Sequence, residues 1–158
     1  MSNAISLRPR IVGSKHHFTM VASQFNPQYV QGLVTHATEE LRVLAPTAAV
    51  DLLQVPGAFE IPIVVRELAS QRKANAIIAI GVILKGKTEH AENLSRSVTD
   101  ALQRIAVTHG IPVINAVLSF DDELQARERC LENTINRGTE AARAAVEMSN
   151  VMSKLHEK

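Results

Sequence analysis

Residues 74–90 read "ANAIIAIGVILKGKTEH". The fold turns on whether the middle of this stretch wraps or extends. Its second half, "GVILKGKT" at 81–88, fits the phosphate-loop pattern G-x-x-x-x-G-K-[ST]. A phosphate loop curls backbone amides around phosphates and needs small, flexible residues between its glycines. Here the middle positions are Val82, Ile83, Leu84 and Lys85. Three are bulky and apolar, and two of those are β-branched, so the chain extends. Residues 74–84 are therefore expected as a strand, apolar on both faces as a central parallel strand is. The triphosphatase reading falls with it, and "VLSFDD" at 117–122 is a coincidental metal-site mimic. Only the end of the match keeps meaning. Gly86–Lys87–Thr88 lies between a strand and a helix N-terminus, where free amides and the helix dipole favour a single phosphate. An ordinary loop with a capping threonine explains the same letters equally well.

Outward from this strand, apolar spacing alternates. "FTMVAS" (18–23) reads as a buried strand. The next segment, 26–44, places Val30, Leu33, Val34, Ala37, Leu41 and Leu44 on one helical face, with Asn26 as N-cap and Pro27 at the first helical position. Residues 48–55 read as a second strand, and 62–71 as a helix after the Pro56–Pro62 turn. "HAENLSRSVTDALQRIAVTHG" (90–110) carries a stripe of Leu94, Val98, Ala101, Leu102, Ile105 and Ala106, stopped by Gly110 and Pro112. A fourth strand is expected at 112–119 and two helices after it. Strand–helix alternation implies an α/β fold with a four-stranded parallel sheet covered on both faces. Residues 1–17 are expected as an extended arm, part of it a tag remnant ("SNA") or disordered.

The chain of 158 residues suits one domain. Its 17 basic and 16 acidic residues nearly balance, which argues against a nucleic-acid or membrane-surface binder. The apolar run from Ala76 to Leu84 is far short of the roughly 20 residues of a membrane helix, and the first residues lack a leader's apolar core. The lone Cys130 fits a reducing, cytoplasmic setting and is expected to be a half-buried filler. The histidines at 16, 17, 36, 109 and 156 show no metal-ligand spacing, so no metal is expected.

In a parallel sheet the loops after the strands share one edge, where ligands bind. Those loops are "SQFNP", "VPGAFEIP", "GVILKGKTEH" and "SFDDE". They gather Phe25 and Phe59, two of only four phenylalanines, with Gly57 and two acid–base candidates, Glu60 and His90. Taken singly, Phe25 is more often a core residue, Glu60 a solvated carboxylate, and Arg129 in "QARERC" a surface charge. A receiver-like signalling domain needs an acidic cluster at the strand ends, and only Asp121–Asp122 is present.

"FN" at 25–26, "VPGAFEIP" at 55–62, G-x-x-x-x-G-x-T-x-H at 81–90, "ER" at 128–129 and "NRG" at 136–138 before "AVEM" occur in one order and spacing. In this the chain resembles the lumazine synthase family over about residues 18–152. The resemblance implies a flavodoxin-like three-layer sandwich without metal or organic cofactor, in which an N-terminal arm joins a neighbour's sheet. It implies condensation of 5-amino-6-ribitylaminouracil with 3,4-dihydroxy-2-butanone 4-phosphate to 6,7-dimethyl-8-ribityllumazine, releasing inorganic phosphate. Sites between subunits of a homo-pentamer are implied as well, and the "LENTINRG" loop favours pentamers or decamers over closed shells.

By the same resemblance Phe25 stacks on the pyrimidine ring, and Asn26, Ala58, Phe59 and Glu60 hold the ring and ribityl chain. Val82, Ile83 and Leu84 contact the pyrimidine through backbone. Lys87 and Thr88 cradle the phosphate, and His90 moves protons. Arg129 reaches the phosphate from the neighbouring chain, and Arg137 stands where the family commonly has lysine. Two departures stand out. Asn115 replaces a phenylalanine of the pyrimidine pocket, and Ala91–Glu92 replaces an aromatic–Asp pair. They leave a second reading, a non-catalytic flavin or lumazine carrier on the same scaffold.

Overall fold

The computed structural model describes residues 2–10, 15–86 and 89–157. In chain order the elements are β1 (His17–Ser23), α1 (Pro27–Leu44), β2 (Ala49–Val55), a 3₁₀ turn (Ala58–Glu60) and α2 (Ile61–Gln71). There follow β3 (Ala76–Leu84), α3 (His90–His109), β4 (Val113–Phe120), α4 (Glu123–Cys130) and α5 (Arg137–Leu155). The expected strands and helices are all present, with boundaries within about three residues.

The four strands are parallel in the order β2-β1-β3-β4. Alternate residues of each strand feed opposite faces. Phe18, Met20 and Ala22 of β1, with Ile78, Ile80 and Val82 of β3, pack under α1, α4 and α5. Val21, Ile77, Ala79 and Ile83 pack under α2 and α3. Helices on both faces of one parallel sheet make the flavodoxin-like three-layer sandwich. β3 is buried from Ala76 to Ile83, which is why its sequence is apolar without alternation. Gly138 lets α5 cross close to α1, since a β-carbon there would overlap the Leu33 carbonyl.

The helices differ in how completely they are covered. On α1 every residue of the expected stripe is buried. On α3 only Val98 and Leu102 are, while Leu94, Ala101, Ile105 and Ala106 are half-buried. The edge strand β2 leaves Leu52 and Leu53 about two-fifths exposed, at 41% and 42%. Cys130 corrects an expectation: it is fully buried, and burial pushes its thiol up to about 12, so it is no nucleophile. Among the described residues no helix is long and apolar enough to cross a membrane.

Residues 2–10 lie along α1, α4 and α5. Arg8 and Arg143 both donate to the buried carboxylate of Glu40, Arg143 donates to the Ser6 carbonyl at 2.6 Å, and Asn150 donates to the Arg10 carbonyl at 3.2 Å.

Candidate active site

The order β2-β1-β3-β4 places the reversal of strand order between β1 and β3, the position at which parallel α/β sheets bind ligands. The backbone opens there. β1 pairs with β3 only as far as Ala22 opposite Ile80, whereas β4 stays paired with β3 to Leu84. In a strand each residue's N–H and C=O point to the same side. Ile77 and Lys85 use theirs on the β4 side, donating to Pro112 and Phe120. Val82 and Leu84 consequently aim their backbone groups at the gap beyond the end of β1.

Loops from β1 and β2 border this gap. Phe25 is 69% exposed and Phe59 71% exposed, whereas Phe18 and Phe120 are fully buried. Phe25 is thus no core residue. It lies over Gly57, where an added β-carbon would come within 3.0 Å of the ring and 3.3 Å of Glu60 Oε2. Ala58 is buried beneath the 3₁₀ turn, and Glu60 is exposed at the start of α2. Phe59 belongs to an apolar groove of about 340 Å³ between α2 and α3 with Pro62, Ile63 and Val98.

Asn26 departs from its expected role. It holds the N-cap position of α1, but its side chain makes no cap. Its backbone is left-handed, φ 54 and ψ 56, and its Nδ2 donates to the Val82 carbonyl at 2.8 Å. His90 is the exposed first residue of α3, and no hydrogen bond ties its ring among the described residues. Lys87 and Thr88 lie outside the described residues. Lys85, which the sequence did not single out, pairs with Asp121 at 2.9 Å across the ends of β3 and β4, and that hydrogen bond raises its pKa.

A second cluster forms around β4, α4 and α5. Arg129, read in isolation as a surface charge, is only 6% exposed, and Arg137 only 7%. Arg129 Nη2 donates to Asn3 Oδ1 at 3.1 Å. Arg137 Nη1 donates to the Ala4 carbonyl at 3.2 Å and to Glu140. Nε and Nη1 of Arg129, and Nε and Nη2 of Arg137, are buried without a partner among the described residues. Buried guanidinium donors left open are strong anion sites. Asn115 is exposed on the edge strand. It accepts from the Val117 amide at 3.0 Å, donates to Thr99 Oγ1 at 3.3 Å, and shares a groove of about 380 Å³ with Arg137. The groove shared by Asn115 and Arg137 is not lined by Phe25, Gly57 or Val82.

The 6,7-dimethyl-8-ribityllumazine synthase family model matches residues 15–153. Relatives bearing that name include a protein of Azoarcus sp. (strain BH72), 38% identical over 137 residues, covering 86% of this chain and 85% of that one. One from Paraburkholderia phymatum is 38% identical over 151 residues, covering 95% and 86%. One from Thermococcus kodakarensis is 40% identical over 109 residues, covering 69% of each.

Proposed function

Because the chain belongs to the 6,7-dimethyl-8-ribityllumazine synthase family, we propose that it condenses 5-amino-6-ribitylaminouracil with 3,4-dihydroxy-2-butanone 4-phosphate in riboflavin biosynthesis. The observation that carries this reading on the chain itself is the backbone edge of β3 beyond the end of β1, where Asn26 meets the Val82 carbonyl and Leu84 is left open, flanked by the exposed ring of Phe25 and by Glu60. A flat heterocycle with alternating donors and acceptors suits such an edge, because it can continue the sheet's hydrogen bonding while stacking on Phe25.

The 5-amino group adds to the ketone and water leaves as the imine forms. Phosphate departs by elimination, and the ring closes with loss of a second water. Each step moves a proton, the work of His90 at the head of α3. Arg129 and Arg137, whose buried donors lack partners among the described residues, hold the phosphate. By the family resemblance Lys87 and Thr88 serve the same phosphate. Holding two reactants in register supplies much of the rate, so no nucleophile is required.

The separation of the two clusters supports a site completed by a second copy, with Asn115, Arg129 and Arg137 facing the neighbour's Phe25 edge. The half-covered stripe of α3 and the exposed leucines of β2 supply apolar surface for that contact, and a homo-pentamer is the assembly we assign. Light scattering at the mass of one chain would overturn the assembly. For the reaction itself, lumazine fluorescence should appear when the protein meets both substrates. Tight binding of the product without turnover would favour the carrier reading.

A further inference from the structure

We propose that Asn26 is a positioning residue, whose side-chain amide fills the sheet rung left open where β1 ends and so fixes the backbone that receives the heterocycle. β1 pairs with β3 as far as Ile80, and the next β3 residue facing that side is Val82. The chain has by then turned away into the β1–α1 loop. Asn26 Nδ2 reaches back and donates to the Val82 carbonyl at 2.8 Å, standing in for the missing strand. Leu84 is left as the open rung beyond it.

Two demands meet at this position, and together they select asparagine. The backbone sits at φ 54, ψ 56, a region that side-chain-bearing residues enter reluctantly and asparagine, aspartate and glycine enter most easily. Glycine satisfies the turn but has no donor. Aspartate is the right size but presents an acceptor to an acceptor at neutral pH. Asparagine alone of the three meets both. The same turn ties the loops after β1 and β2 to the end of β3. The Gln24 amide donates to the Pro56 carbonyl at 3.3 Å, and the Asn26 carbonyl accepts from Tyr29 and Val30 at 3.1 Å each, starting α1. Phe25 lies between those anchors, and its ring is set over Gly57. Asn26 therefore acts on substrate through Val82 and Phe25.

The inference rests on the lumazine synthase reading for its kinetic arm but not for its structural one. The experiment compares wild type with Asn26→Gly and Asn26→Asp, each checked for an unchanged oligomer. Hydrogen–deuterium exchange on the ligand-free proteins should show amides of 81–84 exchanging about threefold or more faster in both variants, with 113–120 unchanged. The KM for the pyrimidine should rise about three- to tenfold, the effect of one net hydrogen bond, while that for the butanone phosphate moves less than twofold. Unchanged exchange at 81–84 with a raised KM would overturn the proposal, because Asn26 would then touch the pyrimidine directly. An equal rise for both substrates would also overturn it, placing the effect in folding. Faster exchange in a protein that forms no lumazine at all would sink the enzymatic reading and leave the structural rung standing.

Discussion

Gly57 faces the ring of Phe25 so closely that a β-carbon on it would lie 3.0 Å from Cε2 and 3.2 Å from Cδ2. Gly57 has φ −144, extended backbone open to any residue, so the space and not the dihedral calls for glycine. Phe25 is exposed and free to swing aside. Gly57 itself is buried, but the added methyl would meet only the movable ends of Phe25 and Glu60, so Gly57→Ala should cost no more than about 1 kcal/mol of stability. It should weaken the pyrimidine by roughly the worth of an aromatic contact, about 0.5–1.5 kcal/mol. Melting curves and the KM for each substrate separate the two. An unfolded variant, or an unaltered pyrimidine KM, would show that this contact does not serve the site.

His90 begins α3 with its ring exposed. Removing it should not disturb folding, and the lost acid–base catalysis is typically worth about 10²–10⁴-fold. The uncatalysed condensation is chemically easy, so the lower end is expected for His90→Ala. An unchanged kcat/KM in that variant would remove His90 from the mechanism.

Arg129 is buried with two donors that have no partner among the described residues. Arg129→Ala should weaken the butanone phosphate by roughly 1.5–3 kcal/mol, about 10- to 150-fold, and the pyrimidine much less. Inorganic phosphate should compete with the butanone phosphate in wild type and lose that ability in the variant. Equal weakening of both substrates would assign Arg129 to folding or assembly.

Glu40 ties the arm to the body. Its carboxylate receives Arg8 at 3.0 Å and Arg143 at 2.5 Å. Burial pushes its pKa up, but the hydrogen bonds from Arg143 and Arg8 outweigh this and hold it below the ordinary glutamate value. A depressed folded pKa stabilises above the unfolded value, roughly pH 4 to 5, and that contribution is lost as pH falls through the folded one. Glu40→Gln should cost about 1.5–3 kcal/mol at pH 7. The gap between variant and wild type should narrow in melts at pH 3. A gap that stays constant from pH 7 to pH 3 would show that the carboxylate's charge is not what stabilises.

The sheet was legible because β3 is covered on both faces, and such a strand must be apolar throughout. The stripe on α1 predicted its burial residue by residue, whereas the equally regular stripe on α3 is half open. Periodicity reports that a face seeks cover, not whether its own chain supplies it. Asn26 was legible as a helix start but not as a bond to Val82, since that contact joins residues 56 apart in sequence. The Arg8–Glu40–Arg143 cluster was missed for the same reason. Arg129 looked like one surface charge among several, and only the packing of α4 against the arm distinguishes it from Arg127.

Asn115 tests the site at a position where the family resemblance leads one to expect phenylalanine. A phenylalanine there would offer the heterocycle an apolar wall. In this chain the asparagine is committed locally, accepting from Val117 and donating to Thr99 at a long 3.3 Å. Its second N–H remains to offer a ring carbonyl. The compensation for lost stacking is then at most about one net hydrogen bond, about 0.5–1.5 kcal/mol. Wild type should be active with weak pyrimidine binding. Asn115→Phe should tighten the pyrimidine about two- to tenfold, from an aromatic term of about 0.5–1.5 kcal/mol, and leave the butanone phosphate alone. Its exposed position on the edge strand gives the larger ring room without displacing core. Titrating each substrate against wild type and variant decides the matter. Lumazine formation by Asn115→Phe alone would make the natural protein a carrier, and no change in either substrate would place Asn115 outside the shared site.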